Sequence, residues 1–85
     1  GNLKRSYKMA SNRDVVRAWQ FGEVAAAGNL TTNGREIYSY QLQIGETRNG
    51  QKVAFDYTGP GLRPYYSMTT SKHVGMVKQV ADIVE

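Results

Sequence analysis

The dipeptide Asn49-Gly50 sits between two stretches that alternate in hydropathy, and no other feature limits the fold of this chain as tightly. Asn-Gly tolerates positive φ at both central positions of a two-residue turn, so its flanks are free to pair antiparallel. Before it, over residues 37–44, Tyr38, Tyr40, Leu42 and Ile44 fall on one side and Ser39, Gln41 and Gln43 on the other. After it, Val53, Phe55 and Tyr57 alternate with Lys52, Ala54 and Asp56. Period two marks a half-buried strand, so residues 36–57 predict two antiparallel strands.

A helix is expected to start at Ser11, whose hydroxyl can cap the first turn while Asp14 supplies the acidic half of a capping box. Val15, Ala18, Trp19 and Gly22 then form an i, i+3, i+4, i+7 stripe, with Trp19 as the anchor on the sheet. Residues 23–32 are ambiguous: Ala25-Ala26-Ala27 favours helix, but Gly28-Asn29 interrupts it. A strand over 24–32 is the expectation, followed by a hairpin turn at Thr31-Thr32-Asn33-Gly34-Arg35. Pro60, Pro64, Gly59 and Gly61 set a loop, and residues 65–68 predict a short edge strand, where a leading proline is tolerated. Thr69, Thr70 and Ser71 are candidate caps for a last helix with Val74, Val77, Ala81 and Val84 as its stripe, widened by Val80. The expected fold is α+β: a three- or four-stranded antiparallel meander with an N-terminal and a C-terminal helix packed on one face. Residues 1–10 are expected to form a flexible tail and residues 11–85 a single domain.

The 85 residues hold no cysteine, which excludes disulfides and thiol chemistry and suits a reducing compartment. No apolar run approaches the roughly 18 residues a membrane span needs. A soluble protein without membrane partner is expected, in the cytoplasm. The net charge of +4 is concentrated in residues 1–17, where Lys4, Arg5, Lys8, Arg13 and Arg17 face one acid, Asp14. Met9-Ala10-Ser11 reads as a translation start, and from Met9 the net charge would fall to +1.

Catalysis finds little support. There is one histidine, and the carboxylates are scattered. A Ser-His-Asp set can be drawn through Ser67 or Ser71, His73 and Asp56, but nothing in the spacing supports it. No metal site, cofactor or small-molecule substrate is expected. Thr69-Thr70-Ser71-Lys72-His73 at a helix start could hold a phosphate, because free N–H groups and the helix dipole favour an anion there. Capping of their own helix by these hydroxyls is the commoner role. Tyr38, Tyr40, Tyr57, Tyr65 and Tyr66 lie in or beside strands near Arg35, Arg48, Lys52 and Arg63, the composition of a stacking platform for single-stranded nucleic acid. Tyrosine is also an ordinary strand residue, which favours core or rim packing for most of them. Tyr65, Tyr66 and Met68 are the candidates for a protein interface.

The α-β-β-β-α order with Ser71-Lys72-His73 opening the last helix resembles a double-stranded-RNA-binding domain in topology. A closer resemblance is to short phage and viral-metagenome proteins, carried by Trp19, Gly28-Asn29-Leu30, Tyr38-Ser39-Tyr40, Ile44-Gly45 and Thr70-Ser71-Lys72-His73-Val74. It implies a viral or metagenomic origin, with the cytoplasm of the host cell as the compartment if phage-encoded, and no established activity. The reading that follows is a small non-enzymatic protein-binding module whose partner is a host protein or a second copy, as in a homodimer. The alternative is nucleic-acid binding through Arg35, Arg48, Lys52, Thr70, Ser71, Lys72 and His73, with phosphates at the 69–73 helix start.

Overall fold

The computed structural model of the chain describes residues 10–58 and 63–85. The elements run α1 (Asn12–Gln20), β1 (Val24–Ala27), β2 (Leu30–Asn33), β3 (Ile37–Ser39), β4 (Leu42–Arg48), β5 (Gln51–Ala54), α2 (Met68–Val80) and β6 (Ile83–Val84). The protein is α+β, and its strands form one sheet in sequence order, antiparallel from β1 to β5 and parallel between β5 and β6. Six strands in a mixed sheet replace the expected three or four antiparallel ones.

Helix α1 begins as the sequence predicts. Ser11 Oγ accepts from the Asp14 N–H at 3.2 Å, and the Ser11 N–H donates to Asp14 Oδ2 at 2.9 Å, a reciprocal capping box. Val15, Val16, Ala18 and Trp19 are buried, and the helix ends before Gly22, whose φ of 74° is the left-handed turn typical of a helix exit. The Trp19 indole N–H donates to the Arg35 carbonyl oxygen at 3.0 Å, so burying the ring leaves no orphaned donor. The ring lies against Gly45 of β4: a methyl group there would come within 3.1 Å of the indole, 2.8 Å of Ile37 Cγ2 and 3.0 Å of the Val53 carbonyl oxygen. Val15, Val16 and Trp19 of α1 and Val74 and Val77 of α2 share one apolar cluster with Leu30, Ile37, Ile44 and Ala54 of the sheet.

Asn49 and Gly50 join β4 to β5 with φ of 53° and 79°, the two positive values expected of this hairpin. Elsewhere the strands are shorter and more numerous than their pattern suggests. The 24–32 segment is a hairpin, β1 and β2, that turns at Gly28-Asn29; the residues that interrupt helix propensity also break the strand. The 37–44 segment is likewise two strands, turning at Tyr40-Gln41 with Ser39 opposite Leu42. That turn resets the phase. Ile37 and Ser39 point inward and Tyr38 does not share their side, while a register shift between Ile37 and Tyr38 leaves Ile44 as the extra residue of β4.

The expected edge strand at 65–68 does not form. Ser67 is the cap of α2, its Oγ accepting the Thr70 N–H at 3.1 Å, so the helix starts at Met68 rather than after Thr69, Thr70 or Ser71. It also ends early. Ala81 is extended, and Ile83-Val84 leaves the apolar stripe to pair with Val53-Ala54, which covers the outer edge of β5. Two β-branched residues and a strand edge to satisfy outweigh one more helical turn. Of the tail expected over residues 1–10, residues 1–9 lie outside the described residues, as does the loop portion 59–62, and Ala10 packs against the core.

Gly45→Ala is expected to destabilise the fold by about 1–3 kcal/mol, because Ile37 and Trp19 are both fixed by packing. Gly75→Ala, in α2 with open space where the methyl would go, is expected to stabilise it by about 0.5–1 kcal/mol. Urea unfolding of the two variants beside the parent checks both signs.

Candidate functional site

Two groups of residues carry polar chemistry of interest, one inside and one on the surface. The inner one joins β3 to α2. Ser39 Oγ lies 2.7 Å from His73 Nδ1 and 3.0 Å from Thr70 Oγ1. Ser39 and Thr70 are fully buried and His73 nearly so. Alternation along β3 turns Ser39 inward with Ile37, and the three-residue spacing of Thr70 and His73 puts both on the buried side of α2. A neutral ring accepting at Nδ1 from Ser39, with Thr70 donating to Ser39, satisfies both hydroxyls and the ring Nδ1. Burial pushes the His73 pKa down, which keeps the ring in that neutral form.

A serine hydroxyl bonded to a histidine makes two of the three members of a nucleophilic triad, but this pair lies beneath the surface. Among the described residues no carboxylate is bonded to the ring. Asp56 is occupied elsewhere: it accepts from Lys78 Nζ at 3.0 Å and from Thr58, and these hydrogen bonds hold its carboxyl below the ordinary value despite its burial. Ser67 is a helix cap and Ser71 lies within α2. The arrangement locks a strand to a helix. Sequence reading passed over Ser39; the available signal was a lone hydroxyl sharing the side of Ile37 in an alternating run. Among the described residues no three His, Cys, Asp or Glu side chains are grouped to hold a metal ion.

The residues named for phosphate contact do not form one surface. Thr70 and His73 are spent in the buried chain. The first-turn N–H groups of Thr70 and Ser71 are taken by Ser67, through its hydroxyl and its carbonyl oxygen. Arg48 is clamped by Glu46 at 2.5 Å and Glu85 at 2.7 Å. Lys52 donates to Thr47 at 2.6 Å and lies 5.2 Å from the Trp19 ring centre, where burial lowers its pKa. Lys72 and Arg35 are exposed, and Arg35 lies at the opposite end of β3 from Ser39 and its α2 partners.

The surface group is built by two turns and the segment before α2. The Tyr40 N–H donates to the Asn29 carbonyl oxygen at 2.7 Å, which sets the Gly28-Asn29 and Tyr40-Gln41 turns side by side. With Thr31 and Tyr66 they line a depression of about 500 Å³. Tyr40 is 49% exposed and Tyr66 61%, and the Tyr66 ring meets that of Tyr57 edge-on at 6.4 Å. Arg63 carries the series on, its guanidinium carbon 5.5 Å from the Tyr57 ring centre and 4.6 Å from that of Phe55. Tyr65 and Met68 are exposed too. Tyr40 has a φ of 57°, a conformation a bulky side chain rarely adopts. Of the three interface candidates, Tyr66 lines this depression, whereas Tyr40 was assigned to a strand. No local signal marks it: the alternation runs across Tyr40-Gln41 with neither a glycine nor a break in hydropathy.

Comparison of the chain with known protein families, with curated proteins and with solved structures found no match in any of the three.

Because folding holds His73 neutral, the unfolded chain takes up its proton first as pH falls below the ordinary histidine value of about 6.5. Stability is therefore expected to be flat from about pH 7 to 8 and to fall as pH drops below about 6.5, with a slope of at most about 1.4 kcal/mol per pH unit. The carboxylates with lowered pKa values, Glu36, Asp56 and Glu85, act in the same direction only at lower pH. His73→Gln should be less stable at pH 7 yet show no slope from pH 7 to 5, as measured by denaturant unfolding at stepped pH.

Proposed function

We propose that the protein is a small non-enzymatic binding module that contacts a protein segment through the surface of Tyr40 and Tyr66. The observation that carries this reading is Tyr40 itself. A tyrosine held at positive φ costs of order 1 kcal/mol, and here half of its side chain faces solvent, so burial does not repay the strain. Strain kept at an exposed aromatic is the pattern of a contact residue. Tyr66 beside it, the depression between them, and Tyr65 and Met68 on the same approach to α2 supply the amphipathic area that protein interfaces favour. The lining is uncharged, which suits a neutral peptide segment better than a phosphate backbone. The resemblance of the Trp19 helix, the Tyr-Ser-Tyr segment and the α2 start to phage-borne proteins adds a viral origin to this proposal.

The test is selection from a random displayed-peptide library on the complete chain, followed by titration of recovered peptides and, in parallel, of single- and double-stranded oligonucleotides at low and moderate salt. Peptides are expected to bind with shifts at the amides of Gln41, Tyr66 and neighbouring residues, and to lose at least about tenfold in affinity on Tyr66→Ala. Tyr40→Gly should also weaken binding while raising stability by about 1 kcal/mol, since it relieves the strained backbone. Salt-sensitive oligonucleotide binding with no peptide recovered would replace this reading with nucleic-acid recognition.

A further inference from the structure

A second surface lies between the helices. Arg13 and Arg17, one turn apart on α1, and Gln79 and Met76 of α2 border a groove of about 520 Å³ with Val16 and Val80 in its lining. Both arginines are exposed, and neither has an ion-pair partner among the described residues. Arg48, by contrast, is clamped by two carboxylates, and Lys78 is paired with Asp56. Lys72 is exposed one turn before Met76 on the same row of α2, which adds a third positive charge beside the groove.

We infer that this groove docks an acidic amphipathic helix of a partner protein. The geometry sets two requirements. Guanidinium groups at positions i and i+4 match carboxylates at the same spacing on a facing helix, each able to accept a two-pronged pair of hydrogen bonds. The apolar part, the half-buried Met76 and Val80 over the buried Val16, requires a hydrophobic stripe beside those carboxylates, as when a helix lies in a groove between two others. A nucleic-acid backbone meets the first requirement and not the second. Neither α1, with one acid, Asp14, nor α2, with none, offers carboxylates at that spacing, so a second copy of this fold is not the occupant. This surface is separate from the tyrosine surface, and its test does not depend on that one.

The probe is a synthetic helical peptide with Glu at i and i+4 and Leu at i+1, i+5 and i+8, titrated into the complete protein by fluorescence anisotropy and by amide shift mapping. Controls are a peptide of the same composition with the stripe scrambled, a version with Lys in place of Glu, and a single-stranded oligonucleotide. The expected result is binding that moves the amides of Val16, Met76 and Val80, weakens with salt, and falls about tenfold or more in Arg13→Ala/Arg17→Ala. The scrambled peptide should bind about tenfold more weakly. Both arginines are exposed, so the double variant should fold, and circular dichroism confirms it. Equal binding of the scrambled peptide, tighter binding of the oligonucleotide, no binding of the peptide, or unchanged affinity in the double variant would each overturn the inference.

Discussion

A fully buried serine hydroxyl has to be satisfied, and in this protein that requirement organises one end of the fold. Ser39 meets His73 at 2.7 Å and Thr70 at 3.0 Å, which ties a three-residue strand to a helix more than thirty residues later in the chain. An unpaired buried hydroxyl costs about 1–3 kcal/mol, so the contact fixes which way β3 faces. With Ser39 and Ile37 inward, Tyr38 lies off that side, and Tyr40 falls in the turn that brings Leu42 back toward the core. The exposed tyrosine surface is thus a consequence of an interior hydrogen bond.

At the other end Trp19 does comparable work. Its indole lies on the bare backbone of Gly45 and donates to the Arg35 carbonyl oxygen, which bonds the Thr47 hydroxyl as well. Lys52 crosses the ring and lends its stem to the cover. A chain of this size buries a limited fraction of its surface, so two such anchors, one polar and one aromatic, hold the sheet against both helices. They also take up most of the groups that a sequence would offer for chemistry: the histidine, two of the hydroxyls before it, and the lysine nearest the tryptophan. Tyr40, Tyr65, Tyr66, Arg13 and Arg17 stay exposed, and tyrosine and arginine are side chains well suited to contact.

The local signals were legible. Ser11 with Asp14, Asn49 with Gly50, and the apolar spacing of Val15, Ala18 and Trp19 specify their own conformations through short-range hydrogen bonds and steric preference. The six-strand count was not, because alternation is blind to a two-residue turn. Tyr40-Gln41 has no glycine, and hydropathy runs across it without a break. The α2 start was misplaced for a related reason: four hydroxyl residues lie between 67 and 71, and only the packing of Thr70 against Ser39 selects Ser67 as the cap. The end of α2 needed knowledge of an unsatisfied edge on β5, which no local pattern contains. The candidate site shared these limits. Tyr65, Tyr66 and Met68, named as interface candidates, are exposed, whereas Tyr40 reaches the surface only through the tertiary choice made at Ser39.

Limited nitration of the native protein, read residue by residue by mass spectrometry, tests that choice most directly. The account predicts fast modification of Tyr40, Tyr65 and Tyr66, and slower modification of Tyr38, which is half-buried and donates to Glu36 at 2.9 Å. Rapid reaction at Tyr38 with Tyr40 protected would place the tyrosines in the opposite phase, as in an unbroken strand, and would contradict both the buried Ser39 and the surface built on it.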